Sequence, residues 1–310
     1  LETFIGNGSI YCPAGSLRGQ LRMAAFPATS YGDYRADNTI YTYPPVYAMN
    51  YTWTLQPGEK RTLTQVLKVP FPTLSGTIAP FSSMSDWFDA STCRTRKEEV
   101  RQHYEKLCQM VTVQTPDENF NTYVNNWLPM QVNWVAPLDR GWPTGMRGTR
   151  DSAQDYAALL TTDPISCRKV LADMLECQRS DGWFPRQYAA SGRTGKHDMR
   201  YYVDGGAFIV EFFWMYLARC GDSTILDERI PWLDQKDAAT VLEHMETAVM
   251  YYIDEKALGE HGLCKIHEGD WLDAVNRAGI EDRGESVTVT MQAAMALDYM
   301  ADVLEFYERD

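Results

Sequence analysis

The sequence predicts a mainly α-helical protein with an N-terminal β part, and two observations support this fold class. Between residue 1 and about residue 72, three runs alternate apolar and polar residues with period two, which is typical of half-buried strands. From about Arg94 to the end, apolar residues recur at helical spacing, and no strand signal of comparable strength intervenes.

Residues 1–90 are predicted to be the C-terminal portion of an N-terminal β-sandwich domain. The alternating runs are residues 40–43, 51–55 and 62–67. Pro57 and Gly58 lie between the second and third runs, where they favour a turn. The aromatic side chains of this region are therefore interpreted mainly as sheet packing.

Residues 91–114 are predicted to be a helical linker. Residues 94–110 are strongly charged but carry one apolar stripe, which is typical of an amphipathic helix. The stripe consists of Val100, Tyr104, Leu107 and Cys108.

Residues 115–310 are predicted to be a ring of paired helices. Thr115 as N-cap, followed by Pro116, marks the start of the first helix. Further helices are expected at residues 166–179, 207–220, 238–254 and 286–308. Because short polar loops separate these helices, neighbours are expected to run antiparallel, as in an α-helical toroid.

Composition excludes several classes of partner. Hydrophobic residues make up 45% and charged residues 23%, as in ordinary globular proteins. A net charge of −13 argues against nucleic acid and anionic membranes, because both would repel the chain. Seven cysteines scattered without C-x-x-C spacing are typical of reduced thiols, and no signal peptide or membrane span is visible. We therefore expect a cytoplasmic protein.

A glycine-rich loop before a predicted helix carries Arg147, Arg150 and Asp151. A guanidinium group donates and a carboxylate accepts hydrogen bonds in fixed, forked geometry. An adjacent arginine and aspartate therefore suit a site that binds the hydroxyl groups of a ligand.

A second polar loop, residues 267–277, carries Asp270, Trp271 and Asp273 immediately before the last predicted helix. One interpretation makes it the opposite wall of the same pocket, since loops often carry chemistry. The alternative is that both aspartates are turn or capping residues that bond local backbone N–H groups.

A third candidate stretch runs from Asp181 to Gly206 and interleaves aromatic residues with Arg and Asp. Sugar faces stack on aromatic rings while their hydroxyls need polar partners, so this composition favours a sugar site. Asp204 is the preferred candidate here, with Arg200 behind it. The alternative is helix-end packing with solvated charges. His197 and His267 lack spacing partners, so we assign no metal.

Several of these stretches resemble one known family. Residues 150–155, RDSAQD, resemble an R-D-x-x-Q-D loop, and residues 269–273, GDWLD, resemble a D-W-N-D motif. Residues 283–287, RGESV, are similar to a G-E-S segment, and residues 115–127 to the start of a helical barrel. Together and in this order, they resemble glycoside hydrolase family 94, the inverting cellobiose and cellodextrin phosphorylases and their relatives.

The resemblance implies a fold, a reaction and a set of roles. The fold would be part of an (α/α)6 barrel preceded by a β-sandwich, in a homodimer. Inorganic phosphate would cleave a β-glucosidic bond of a cellodextrin or cellobiose-type oligosaccharide and give α-glucose 1-phosphate, without a cofactor. Asp273 would be the general acid that protonates the leaving oxygen. Arg150, Asp151 and Trp271 would hold the sugar, with Arg147 as a weaker candidate for the same wall.

Two departures from the family pattern concern the substrate. Leu272 occupies a position where the family usually has Asn, and Gly145 one where some members have Arg. The alternatives are therefore a phosphorylase of β-1,2- or β-1,3-oligoglucans, an inverting hydrolase, and a non-catalytic carbohydrate-binding barrel.

The helix count predicts that the chain is one piece of a longer polypeptide. Residues 115–310 have room for about eight helices of the usual ~10–14 residues. A closed (α/α)6 barrel needs a dozen. The family's phosphate-binding loop would likewise lie beyond this chain.

Overall fold

The computed structural model describes residues 23–25, 47–49, 53–62, 89–138, 146–189, 192–275 and 277–308. Contacts between backbone positions divide the chain into two compact units, Leu1–Gln65 and Val66–Asp310. The described residues are mainly helical, which confirms the mainly α-helical part of the predicted class.

The first unit contains one described strand pair. Strands β1 (Met23–Ala25) and β2 (Tyr47–Met49) are antiparallel, with Ala24 opposite Ala48. The predicted turn is present, and Gly58 adopts a φ of 84° there. Residues 53–62 carry this turn but no strand, so that part of the strand prediction is wrong. The remaining residues predicted for the sandwich lie outside the described ones.

Helix α1 (Ala90–Met110) occupies the predicted linker and begins at Asp89, whose side chain accepts a hydrogen bond from the Thr92 N–H. Helix α2 (Glu118–Thr122) leads through a π-helical turn, Tyr123–Trp127, into α3 (Leu128–Leu138).

The N-cap of α2 is Asp117, whereas the sequence analysis predicted Thr115. The hydroxyl of Thr115 instead donates to Oδ1 of Asn121. Asp117 accepts from two backbone N–H groups, which a threonine hydroxyl does less readily.

Five further helices build the core of the second unit. They are α4 (Thr149–Leu159), α5 (Pro164–Leu175), α6 (Gly205–Cys220), α7 (Val241–Ile253) and α8 (Val287–Phe306). Helix α6 lies at the centre, where it contacts each of the other four. Phe212 and Phe213 of α6 are fully buried, and each such side chain contributes about 1.5–3 kcal/mol through burial.

Two short antiparallel strand pairs lie between these helices, although the sequence predicted none. Strand β3 (Met146–Gly148) pairs with β4 (Gln187–Ala189), and β5 (Arg229–Pro231) with β6 (Ala238–Thr240). Because residues 238–240 join this sheet, the helix predicted from residue 238 begins only at Val241. Thr240 and Glu243 form a capping box at its start. No helix of the described residues is long and apolar enough to cross a membrane.

Candidate active site

A cavity of about 430 Å³ lies at the N-terminal ends of α4 and α6, within the size range of small-ligand sites. The loop around Asp270 closes one side. The cavity is lined by Thr149, Arg150, Asp151, Gln154, Phe184, Pro185, Arg186, Gln187, Tyr202, Asp204, Gly205, Trp271 and Asp273.

Thr149 fixes the start of α4 against the segment before β4. Its hydroxyl donates to the Pro185 carbonyl at 2.6 Å, and its N–H donates to the Arg186 carbonyl at 3.1 Å. Arg150 and Asp151 therefore lie in the first turn of a helix, where the sequence had suggested a loop. Gly148 is the N-cap residue, and a Cβ there would overlap the Asp151 carboxylate.

Arg150 joins two segments that are distant in sequence. Its Nη1 donates to Oδ2 of Asp204 at 3.0 Å and to the carbonyl oxygen of Asp270 at 2.9 Å. Its Nη2 donates to Oδ1 of Asp273 at 3.0 Å. One planar guanidinium group thus sets the position of both carboxylates and of the loop backbone.

Asp204 is buried at the start of α6, directly behind this guanidinium. Burial raises the pKa of its carboxyl, although the charge and hydrogen bond of Arg150 oppose that shift. Burial lowers the pKa of Arg150. The charges of Asp204 and Asp273 and their hydrogen bonds to the guanidinium outweigh this effect, so that the pKa of Arg150 is raised. Removal of Arg150 would therefore leave the buried Asp204 carboxylate without a compensating charge.

The second loop is held beside Tyr202 by backbone pairing. The Val203 N–H donates to the Gly269 carbonyl at 3.1 Å, and Glu268 N–H donates to the Tyr201 carbonyl at 3.1 Å. A Cβ on Gly269 would lie 2.8 Å from the Tyr202 ring. This close approach requires glycine.

Asp270 is a buried anchor for the loop and does not line the cavity. Its Oδ1 accepts from the Leu272 N–H at 2.8 Å, and its Oδ2 accepts from the Ser286 hydroxyl at 2.6 Å. The same Ser286 oxygen accepts from the Val289 N–H at the start of α8. The alternative interpretation of Asp270 as a local turn residue thus fits its contacts.

Asp273 and Trp271 are exposed residues of this loop. The Asp273 side chain is 59% exposed, and Trp271 is 52% exposed. Both line the cavity. An exposed indole beside a carboxylate provides a surface on which a sugar ring can stack while its oxygen atoms meet polar groups.

Arg186 is a cavity residue that sequence reasoning did not select. Its guanidinium carbon lies 4.7 Å from the centre of the Tyr202 ring, and its Nη2 lies 3.9 Å from Oδ1 of Asp273. It belongs to the third candidate stretch, whose aromatic and charged composition was the available signal. Gln154, within the RDSAQD run, lines the cavity as well.

The structure brings five of the six predicted site residues together at the cavity: Arg150, Asp151, Asp204, Trp271 and Asp273. Arg147 lies on β3 and does not line the cavity; its guanidinium contacts the phenol groups of Tyr156 and Tyr188. The roles of all six remain predictions.

Three other residues singled out from the sequence lie elsewhere. His197 Nδ1 accepts from the Ala189 N–H, and His267 stacks on Tyr201. Arg200 pairs with Asp198. Among the described residues no group of His, Cys, Asp and Glu has the arrangement of a metal site. Gly145 lies outside the described residues.

Residues 103–310 match the family model described as "Glycosyl hydrolase 94 superfamily, catalytic domain". This match covers more than half of the chain, and its residues include every element of the cavity. The chain therefore belongs to the glycosyl hydrolase 94 superfamily, and the family resemblance is confirmed.

Several relatives are named phosphorylases. The chain is 32% identical to solabiose phosphorylase of Paenibacillus borealis over 86% of this chain and 32% of that protein. It is 26% identical to 3-O-beta-D-glucopyranosyl-beta-D-glucuronide phosphorylase of the same species over 98% of this chain and 37% of that protein. It is 28% identical to N,N'-diacetylchitobiose phosphorylase of Vibrio furnissii over 85% and 35%. The chain spans about a third of the length of these curated relatives.

Proposed function

We propose that the protein carrying this chain is an inverting glycoside phosphorylase. Inorganic phosphate cleaves a β-glycosidic bond, and Asp273 is the general acid. The observation that supports this proposal most strongly is the convergence of Arg150, Asp204 and Asp273 on one cavity through hydrogen bonds of 3.0 Å. The names of the relatives support the reaction class.

In this mechanism Asp273 gives its proton to the oxygen that leaves the anomeric carbon. The bond between that carbon and the leaving oxygen breaks, and an oxygen of phosphate forms the new bond from the opposite face. The configuration is inverted, so a β-glucoside yields α-glucose 1-phosphate. Because phosphate is already an anion, no second carboxylate is needed to activate a nucleophile.

The arrangement around Asp273 leaves one carboxylate oxygen available for this proton transfer. Oδ1 accepts the hydrogen bond from Arg150, so Oδ2 is the oxygen left to carry the proton. Exposure of the side chain leaves room for the leaving sugar to reach it. Trp271 would stack against the sugar, and Asp151 would accept from its hydroxyls.

We propose a β-linked glucose oligosaccharide as the substrate, with cellobiose and cellodextrins as the first candidates. Phosphorylases of β-1,2- and β-1,3-oligoglucans are the runner-up, since another relative is named 1,2-beta-oligoglucan phosphorylase, of Listeria innocua, at 26% identity. Leu272, which is half exposed beside Asp273, replaces a polar contact of the family pattern. This change is the reason to include other acceptor sugars in the test.

The test is to incubate the full-length protein with phosphate and a panel of β-linked disaccharides. The panel should span 1,2, 1,3 and 1,4 linkages and acidic and N-acetylated sugars. Appearance of α-glycosyl phosphate that depends strictly on phosphate supports the proposal. Release of free sugar without phosphate would identify the hydrolase instead.

The Asp273→Asn variant separates an enzyme from a carbohydrate-binding barrel. We expect sugar binding to persist while turnover falls by about 10²–10⁴-fold, as for loss of a general acid. Asp181→Asn is a matched control, because Asp181 is exposed and does not line the cavity. A variant at 273 with unchanged affinity and unchanged turnover would contradict the assignment.

A further inference from the structure

We propose that Arg186 is a positioning residue for Asp273, acting on the same carboxylate oxygen as Arg150. This inference rests on the proposed function, since it concerns the proton that Asp273 transfers. Both arginines lie near Oδ1, which leaves Oδ2 available to a substrate. Arg186 therefore contributes to the orientation and the charge environment of the Asp273 carboxylate.

The first support is the place of Arg186 in the cavity. Its side chain is 18% exposed, and its Nη2 lies 3.9 Å from Oδ1 of Asp273. Arg150 donates to that same oxygen at 3.0 Å. At these separations the charge of Arg186 acts on Asp273 even though no hydrogen bond joins them.

The second support is a rigid seat for the Arg186 guanidinium. Its carbon lies 4.7 Å from the centre of the Tyr202 ring, in cation–π geometry. Its Nη1 lies 3.5 Å from Oδ2 of Asp198. Arg200 grips Asp198 with Nε at 3.0 and 3.1 Å from its two oxygens and with Nη2 at 2.6 Å. Arg200 therefore holds Asp198 in place independently of Arg186.

The third support is that Arg186 has hydrogen-bonding capacity to spare. Its Nε is buried and has no hydrogen-bond partner among the described residues. A buried donor without a partner is uncommon. Arg150, by contrast, already donates to three oxygens. Arg186 therefore has fewer donors committed to protein groups than Arg150 has.

The other charged groups near Asp273 do not duplicate this role. From α4 come Arg150 and Asp151, and from the start of α6 comes Asp204, which is paired with Arg150. Asp270 lies in the same loop and bonds Ser286 and the backbone. Arg186 therefore lies between Asp198 and Asp273 and links the two carboxylates.

The experiment measures the pH dependence of kcat and of KM for phosphate in the full-length phosphorylase carrying Arg186→Met. The alkaline limb of the kcat profile, which marks loss of the acid's proton, should move up by about 0.5 pH unit or more, because a positive charge near 4 Å is lost. We expect kcat at the optimum to fall about tenfold, with KM for phosphate unchanged.

Arg186→Lys keeps the charge but not the planar fork, so the limb should return toward its original position with only partial recovery of kcat. If Arg186→Met does not fold, Asp198→Asn gives a second test. Removing the anion beside Arg186 should move the limb to lower pH. An unmoved limb in the variants that fold would overturn the proposal.

Arg179→Met is the matched control. The Arg179 guanidinium also lies over an aromatic ring, that of Trp183. Its Nε is likewise buried without a hydrogen-bond partner among the described residues, but Arg179 does not line the cavity. A limb that moves equally in this control would mean a general structural effect and would overturn the proposal. If Asp273→Asn retains full turnover, the proposed function fails together with this inference. If Asp273→Asn impairs turnover but Arg186→Met does not, only this inference fails.

Discussion

Arg150 shows how much of the site depends on one side chain. Its guanidinium holds the buried Asp204 carboxylate, the Asp270 carbonyl and the Asp273 carboxylate. The motif RDSAQD and the motif GDWLD predicted that Arg150 and Asp273 belong together. Asp204 was selected on weaker grounds, since only its aromatic and glycine-rich surroundings pointed to it.

Arg150→Met is expected to destabilise the fold by about 3–5 kcal/mol near neutral pH, because it leaves a buried carboxylate without its partner. Burial already raises the pKa of Asp204, and loss of the guanidinium raises it further. A raised folded-state pKa favours the folded state at low pH and costs stability as pH rises through it. Urea denaturation should therefore show a larger loss at pH 8 than at pH 5.

The control for this prediction is the double variant Arg150→Met, Asp204→Asn, which removes both charges. Its stability should depend less on pH than that of the single variant. A single variant whose stability does not change between pH 5 and pH 8 would contradict the buried-charge explanation.

Gly148→Ala is expected to displace Asp151, because the added Cβ would overlap its carboxylate. The loss of stability should be about 1–3 kcal/mol, as for other overpacking substitutions. Gly205→Ala is the comparison, since a Cβ there lies 3.4 Å from the Thr149 methyl group and meets ordinary contacts. Thermal unfolding of both variants checks the difference, and equal losses would refute it.

At the scale of elements, the helices were predicted better than the strands. Helix α6 is apolar on nearly every side and ends before Gly221, at a φ of 61°, so its bounds could be predicted within two residues. Strands β3 and β4 have three residues each, which is too short to show a period of two. Their pairing depends on a partner far along the chain.

The same reason explains why Arg186 was not selected. Its position depends on the pairing of β3 with β4 and on the stack against Tyr202. Neither contact has a fixed spacing in the sequence. Composition could identify the stretch as a candidate sugar site, but only the packing shows which of its residues faces Asp273.

Ser286→Ala is expected to weaken the junction between the second loop and α8. The change removes the N-cap of the helix, at a cost of about 0.5–2 kcal/mol. It also leaves Oδ2 of buried Asp270 without its 2.6 Å hydrogen bond, at a further cost of about 1–3 kcal/mol. Urea denaturation measures the sum. Ser286→Thr keeps the hydroxyl and should retain most of the stability; a larger loss in Thr than in Ala would contradict this account.

At the scale of the whole molecule, α8 has two apolar faces. One face packs into the core through Val289, Ala293, Ala296, Met300 and Val303. The other exposes Val287, Met291, Met295 and Phe306. A helix that is apolar on both sides is typical of a buried position, and this pattern fits our prediction of a longer polypeptide.

Met291→Glu tests that prediction. Met291 is 65% exposed, so in the present chain the change should alter the free energy of unfolding by less than about 0.5 kcal/mol. In the full-length protein the same change should cost about 1–3 kcal/mol or more if further helices cover this face. Denaturation of both lengths, with and without the substitution, gives the comparison. Equal small effects in both would count against covering helices.

The double role of the Ser286 hydroxyl has a thermodynamic consequence. Its proton is committed to Asp270 while its oxygen accepts from the Val289 N–H, so the loop and the first turn of α8 share one group. A ligand that stabilises the loop should therefore also stabilise the first turn of α8. Hydrogen exchange at the Val289 amide should therefore slow when a sugar occupies the cavity, which makes this amide a natural reporter of occupancy.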